Sequence, residues 1–304
     1  MMQVHIHNET AQLKAVLVGI ADDFGGTPTL EECYDPKSKK HVLAGTYPTE
    51  EACSTEMLAL VGVLNKYDIQ VFRPKSIKGV NQIFSRDIAF AIEDKLVLPN
   101  IIEQRRGETP ALDELLEAID PSHVISMPSE ARAEGGDVMP WNESIFVGYA
   151  EDEVFQTFTS ARTNRAGLEF LIRTFPDKTV KGFELLKSDK DPRANSLHLD
   201  CCFQPIGKDK AILYKGGFKH AEDIAFLVNY FGEENIIEIT QDEMYEMNTN
   251  IFSISENVII SEVGFTRLNQ ALRDLGFTVE EIPYAETSKM GGLLRCSTMP
   301  LIRE

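Results

Sequence analysis

The stretch "KMGGLLRCSTMP" sets one thiol, Cys296, behind a Gly-Gly pair and a Leu-Leu pair, close to the C-terminus. A cysteine inside a protein is commonly a small hydrophobe. It becomes a nucleophile when a base, an orienting acid and a grip on the substrate converge on it. Candidates for these parts lie upstream. In "ARAEGGDVMP", Glu134 and Asp137 flank two glycines, whose backbone freedom would let both carboxylates turn into one pocket. The competing reading is an exposed acidic turn. In "NSLHLDCCF", His198 and Asp200 alternate with Leu197 and Leu199. Read as a strand, this alternation puts imidazole and carboxylate on one face. If buried, both need polar partners; the competing reading is a structural histidine.

These residues need elements to hold them, and four stretches look alike: "RDIAFAIEDKLVLP", "GDVMPWNESIFVGY", "LDCCFQPIGKDKAILY" and "TNIFSISENVIIS". Each opens on a carboxylate or amide (Asp87, Asp137, Asp200, Asn250), continues as an apolar strand, passes a polar turn and closes with a second apolar strand. That is a hairpin pattern. Helical periodicity fills the gaps, as in "TEEACSTEMLALVGVLNKY" with Thr49 as N-cap and "TPALDELLEAI" with Thr109 as N-cap and Pro110 in the first turn. Each helix leads to a further strand: "IQVFRP", "HVISMP", "TVKGFEL", "NIIEIT", "TVEEIP". A unit of roughly 60 residues, repeated about five times, implies a ring or array. The residues that open the hairpins would then face a common centre. No Pro-, Gly- or Ser-rich linker divides the chain, so residues 1–304 are expected to form a single α/β domain.

"FSRD", "EGGD", "SARTNRAG", "LHLD" and "GGLLRCSTMP" occur in this order over nearly the whole chain. Together they resemble the guanidino-group-modifying superfamily of arginine deiminases, dimethylarginine dimethylaminohydrolases and amidinotransferases. The resemblance implies a five-unit ββαβ propeller (pentein) with pseudo-fivefold symmetry, in agreement with the repeat. It implies Cys296 as nucleophile, His198 as general acid/base and Glu134 as the residue that orients His198. Asp87 and Asp200 would grip the guanidinium, and Asp137 would belong to the same acidic floor. Arg162 of "SARTN" and Arg105 of "IEQRRGE" would clamp a substrate carboxylate.

The implied chemistry suits these residue types. A guanidinium is resonance-stabilised, and carboxylates on its N–H edge hold it by charge-assisted bonds. A thiolate adds to the central carbon, and an imidazolium protonates the departing nitrogen. The imidazole then deprotonates the water or amine that releases the amidino group from sulfur. No metal and no cofactor is required. The favoured reading is a hydrolase of arginine or a close derivative, because a second carboxylate at Asp200 wants N–H donors on both sides of the guanidinium. An amidinotransferase, a dimethylarginine hydrolase and a non-catalytic guanidine-binding protein on the same fold are the alternatives. The joint presence of Cys296, His198 and Glu134 argues against the last.

Composition bounds the partners. Lys and Arg number 30 against 48 Asp and Glu, a net charge of −18. Such a chain repels phosphate backbones and anionic membranes, and its field favours a small cationic ligand. No apolar run is long enough for a membrane span, and the start shows no signal-peptide pattern. The five cysteines cannot all pair within the chain, so reduced thiols in a cytoplasm are expected. The oligomeric state is open, a homodimer included. His5 and His7 alternate without an evident third metal ligand, and Cys201, Cys202 and Trp141 read as packing residues. "GGTPTLEECYDPKSKKH" reads as a loop, within a stretch (21–48) that could serve as a lid.

Overall fold

The computed structural model describes residues 2–304. Five three-stranded sheets dominate it. In the first, Leu13–Val18 lies between Thr298–Arg303, antiparallel, and Gln70–Phe72, parallel. The second combines Phe90–Ile92, Lys95–Leu98 and Val124–Ser126. The third combines Val138–Trp141, Ser144–Tyr149 and Thr179–Glu184. Phe203–Ile206, Lys210–Leu213 and Ile236–Glu238 form the fourth. Phe252–Ser255, Val258–Glu262 and Thr278–Ile282 form the fifth. Every middle strand has one antiparallel and one parallel neighbour, so the hairpin–helix–strand unit of the sequence is the unit of the fold. The antiparallel pair of the first sheet joins strands from opposite ends of the chain, Leu13–Val18 and Thr298–Arg303.

Local chemistry explains the units. Three hairpins turn on residues with positive φ: Glu93 (52°), Asn142 (54°) and Gly207 (60°), the geometry that matches strand twist in a short loop. The parallel return needs a crossover, supplied in most units by a helix: Glu50–Lys66, Arg165–Thr174, Ala221–Phe231 and Thr266–Asp274. Thr49 caps the first of these by accepting the Ala52 N–H, and Asn164 caps the second by accepting from Gly167. The second unit departs from expectation. Glu103–Leu112 is a 3-10 helix and α-helix starts only at Asp113, so Thr109 and Pro110 lie inside the tighter turn. Middle strands such as Ser144–Tyr149 are buried on both faces, as a sheet covered on both sides requires. Among the described residues no helix is long and apolar enough to cross a membrane.

The hairpin-opening positions are stitched together. Gly136 N–H donates to Asp87 Oδ1 (3.1 Å) and Leu199 N–H to Asp137 Oδ1 (2.9 Å). The Thr249 hydroxyl donates to the Asp200 carbonyl (2.7 Å), and Cys296 N–H to Asn250 Oδ1 (3.1 Å). Arg86 N–H donates to the Cys296 carbonyl (3.0 Å). Each bond links one unit to the next, and the fifth returns to the first. Cys296 thus occupies, before strand Thr298–Arg303, the place that Asp87, Asp137, Asp200 and Asn250 hold in the other units.

Candidate active site

The turn before the first strand of each hairpin, and before Thr298–Arg303, presents one or two polar side chains, and these are sealed from solvent. Asp87, Glu134, Asp137, His198, Asp200, Asn250 and Cys296 are each at most 2 % exposed. His198 and Asp200 do not ride a strand as the alternation suggested. His198 is extended, Leu199–Cys201 is a 3-10 turn, and the strand begins at Phe203. The two side chains therefore go to different partners. His198 Nε2 meets Glu134 Oε2 at 2.9 Å, while Asp200 Oδ2 lies 3.6 Å from Cys296 Sγ.

"EGGD" has a steric reason. A Cβ on Gly136 would sit 2.6 Å from His198 Nδ1 and 3.0 Å from Asp87 Oδ1, so only glycine lets the imidazole and the carboxylate approach this backbone. His198 Nδ1 has no hydrogen-bond partner and lies 3.9 Å from Asp87 Oδ1. With Nε2 engaged by Glu134, Nδ1 is the ring nitrogen left to exchange a proton.

The electrostatics favour charged histidine and disfavour free thiolate. Burial works against a charge on His198, but Asp87, Glu134 and Asp137 outweigh it and hold its pKa above the ordinary value. Burial would raise Glu134, yet the Arg162 and Arg105 guanidiniums and His198 keep it far below the usual carboxylate range. Burial, with Asp200, Asp87 and Cys201 nearby, pushes the Cys296 thiol well up. Burial also raises Asp137, whose oxygens accept from the Thr163 hydroxyl (2.7 Å) and Leu199 N–H.

The two expected clamps differ in how many N–H groups the protein engages. Arg105 donates to both oxygens of Glu108 (2.8 Å each), to Asp87 Oδ2 (2.7 Å), to Glu134 Oε2 (3.1 Å) and to the Phe84 carbonyl (3.3 Å). Those contacts use all five of its N–H groups. In this geometry Arg105 holds Asp87, Glu134 and Glu108. Arg162 donates to Glu134 Oε2 (2.9 Å), the Tyr34 carbonyl (3.0 Å) and the Thr159 carbonyl (3.0 Å), leaving one N–H on each terminal nitrogen. A cavity of about 330 Å³, lined by Tyr34, Asp35, Asn81, Gln104, Arg105 and Glu108, reaches this layer from outside. Its outer wall is the N-terminal loop, which contains a helix, Pro36–Leu43, capped by Asp35.

Asp87, Glu134 and His198 offer ligand atoms within 4.8 Å of one another, close enough to hold a metal ion. However, two guanidiniums already donate to these carboxylates. A dication would have to sit beside fixed positive charges, so the set suits an imidazolium better. His5 and His7 stack edge to face, and His7 pairs with Glu93 rather than with a ligand set.

Three further residues take part in the layer around Cys296. Asn250 grips Cys296: Nδ2 donates to Sγ (3.2 Å) and Oδ1 accepts the backbone N–H (3.1 Å). The repeat had marked Asn250 as a hairpin opener, which was the available signal. Arg295 donates to Asp200 Oδ2 (2.9 Å), to both oxygens of Glu9, and to the carbonyls of Gly135, Gly136 and Val138. Its neighbour Cys296 had drawn the attention. Nothing local marks Glu9.

A family model described as N,N dimethylarginine dimethylhydrolase, eukaryotic, matches residues 37–303. The chain is 29 % identical over 246 residues to the uncharacterized protein YkgA of Bacillus subtilis, covering 80 % of this chain and 78 % of that protein. It is 26 % identical over 197 residues to the N(G),N(G)-dimethylarginine dimethylaminohydrolase of Pseudomonas aeruginosa, covering 65 % and 67 %. Among solved structures, it is similar in fold to the product-bound N-terminal domain of ArgZ, an arginine dihydrolase from the ornithine-ammonia cycle in cyanobacteria. The TM-score is 0.79 at 19 % identity, with 96 % of this chain and 98 % of that one covered.

Proposed function

Because the chain belongs to the dimethylarginine dimethylaminohydrolase family, within the guanidino-group-modifying superfamily, we propose that it hydrolyses the guanidino group of arginine or a close derivative through a covalent amidino intermediate on Cys296. The observation that carries this reading is the buried Glu134–His198 pair at 2.9 Å in the same sealed layer as the Cys296 thiol and Asp200. In our reading one domain, residues 1–304, closes as a five-unit propeller. The circuit of hydrogen bonds from Asp87 round to Arg86 supports that closure.

A high thiol pKa in the free enzyme keeps Cys296 protonated until a cation arrives. A guanidinium seated between Asp87 and Asp200 supplies that cation and favours the thiolate. Sulfur adds to the central carbon, and the tetrahedral adduct collapses as His198 Nδ1 protonates the leaving nitrogen. His198 Nδ1, now neutral, then takes a proton from water as the water oxygen adds to the amidino carbon, and the C–S bond breaks with sulfur leaving as thiolate. With arginine the balance is arginine plus water to citrulline plus ammonia. Glu134 keeps its proton off and orients the ring. Arg162 turns its two remaining N–H groups to a substrate carboxylate.

Methylated arginine is the second reading, and one observation favours it beside the family match. Asp200 is paired with Arg295 at 2.9 Å. A substrate without N–H donors on that side therefore does not strand a bare charge. The discrimination against dimethylation falls to the worth of a single hydrogen bond, about 1 kcal/mol, or about fivefold. Incubating the enzyme with arginine, asymmetric dimethylarginine, and arginine plus glycine, with mass-spectrometric product identification, tests the proposal. Citrulline from either of the first two supports a hydrolase. Guanidinoacetate, formed only with glycine present, would replace it with a transferase.

A further inference from the structure

On the substrate side, Cys296 faces Asp200 at 3.6 Å. The side facing the protein is as closely built. Cys296 N–H can only donate, so the amide oxygen of Asn250 must face it and the Asn250 NH₂ must face Sγ. The Asn250 main chain is held as well: its backbone N–H donates to the Met247 carbonyl (2.9 Å), and its backbone carbonyl accepts from the Arg295 backbone N–H (3.2 Å). Met247 has a φ of 72°, a left-handed conformation costly for an unbranched non-glycine side chain. Asn250 is 0 % exposed, so no water competes for its NH₂.

We propose that Asn250 is a positioning and activating residue for Cys296: its NH₂ stabilises the thiolate form, and its carbonyl oxygen fixes the backbone that aims the sulfur. The proposal rests on the reading of Cys296 as nucleophile. Apart from a backbone bond from Leu293, which also favours the charged form, the other neighbours work against it. Asp200 (3.6 Å), Asp87 and Cys201 all disfavour negative charge on sulfur. The Arg295 guanidinium is spent on Glu9 and Asp200, and His198 turns Nε2 to Glu134. Among these side chains the Asn250 NH₂ is the donor aimed at Sγ. It bonds the thiol weakly and the thiolate strongly, because a hydrogen bond to an ion is the stronger one. The thiol proton leaves to solvent.

The test is the second-order rate of Cys296 alkylation by iodoacetamide at fixed pH, read peptide by peptide by mass spectrometry on the full chain. The rate follows the thiolate fraction. Asn250→Asp keeps the acceptor but loses the donor; its rate at Cys296 should fall about 10- to 150-fold. Asn250→Ser retains a hydroxyl donor and should stay within about tenfold of the native rate, which keeps the test open should the aspartate variant fail to fold. Loosened structure has the opposite signature: it exposes Cys201 and Cys202 and speeds alkylation at every buried cysteine. Unchanged or faster labelling of Cys296 in the folded variants would overturn the assignment. The readout needs no turnover. Failure of the proposed reaction appears separately, as an active Cys296→Ser enzyme.

Discussion

At the scale of single residues, the site is a set of donors and acceptors with few left over. Cys296→Ser keeps nearly the same volume and should abolish turnover with an unchanged fold; an active variant removes Cys296 from the chemistry. Glu134→Gln tests the charge on His198. Since the folded His198 holds its proton above the ordinary 6.5, its contribution to stability is full below 6.5 and is lost as pH rises through the raised value. Removing the Glu134 charge should bring the alkaline limb of kcat/KM down by about 1–2 pH units. An alkaline limb that does not move would separate Glu134 from His198. Gly136→Ala should displace the imidazole and Asp87 together, lowering kcat far more than it lowers stability.

The element that most directly covers the site is the short helix Pro36–Leu43. Asp35 caps it at Ser38 N–H (2.8 Å). Two of its lysines reach across to Tyr245, Lys37 to the carbonyl (2.7 Å) and Lys40 to the hydroxyl (2.9 Å). The preceding Tyr34 carbonyl takes an N–H of Arg162. Cover and floor therefore share a hydrogen bond, which a substrate carboxylate on Arg162 would compete with. Asp35→Ala removes the cap, at about 1 kcal/mol. Tryptic cleavage after Lys37, Lys39 or Lys40 should then quicken about fivefold. Cleavage at the native rate would show that Tyr245, not the cap, holds the segment.

Across the whole molecule, Arg295 is the hub. One guanidinium ties Glu9 of the N-terminal segment, the "EGGD" turn and Asp200 to the loop that bears Cys296. Burial would raise Glu9, but Arg295 and Arg86 bring it down to about 2. Its stabilisation is therefore present above about 4.5 and is lost as pH falls from there toward 2. Arg295→Met would leave Asp200 buried without its ion pair and Glu9 with Arg86 alone, at 3.7 Å, a cost of about 3–5 kcal/mol. A chain of this size should then melt roughly 6–20 °C lower. Its stability should also lose part of its fall between pH 4.5 and 2, because Glu9 would be held ionised less strongly. A melting temperature within a degree or two of the native one would show that these carboxylates find other partners.

Much of the fold was legible because its signals are local. Turn residues sit beside the strands they join, the Thr49 cap lies three residues from the N–H it accepts, and the five-unit repeat is a matter of spacing along one chain. The ordered motifs likewise named Cys296, His198, Glu134 and the aspartates. What spacing could not carry was the allocation of hydrogen bonds. Glu9 and Arg295 are 286 positions apart, Asn250 and Cys296 46 apart. Such partners are set by where five separately folded turns meet. The alternation of His198 and Asp200 misled for the same reason: both must be buried and paired, and a 3-10 turn sends one to Glu134 and the other toward Cys296 and Arg295. The sequence marks Arg105 only through a resemblance. Which groups it meets was a tertiary matter: burial among four acceptor groups, each needing a donor, gives every one of its N–H groups a protein partner.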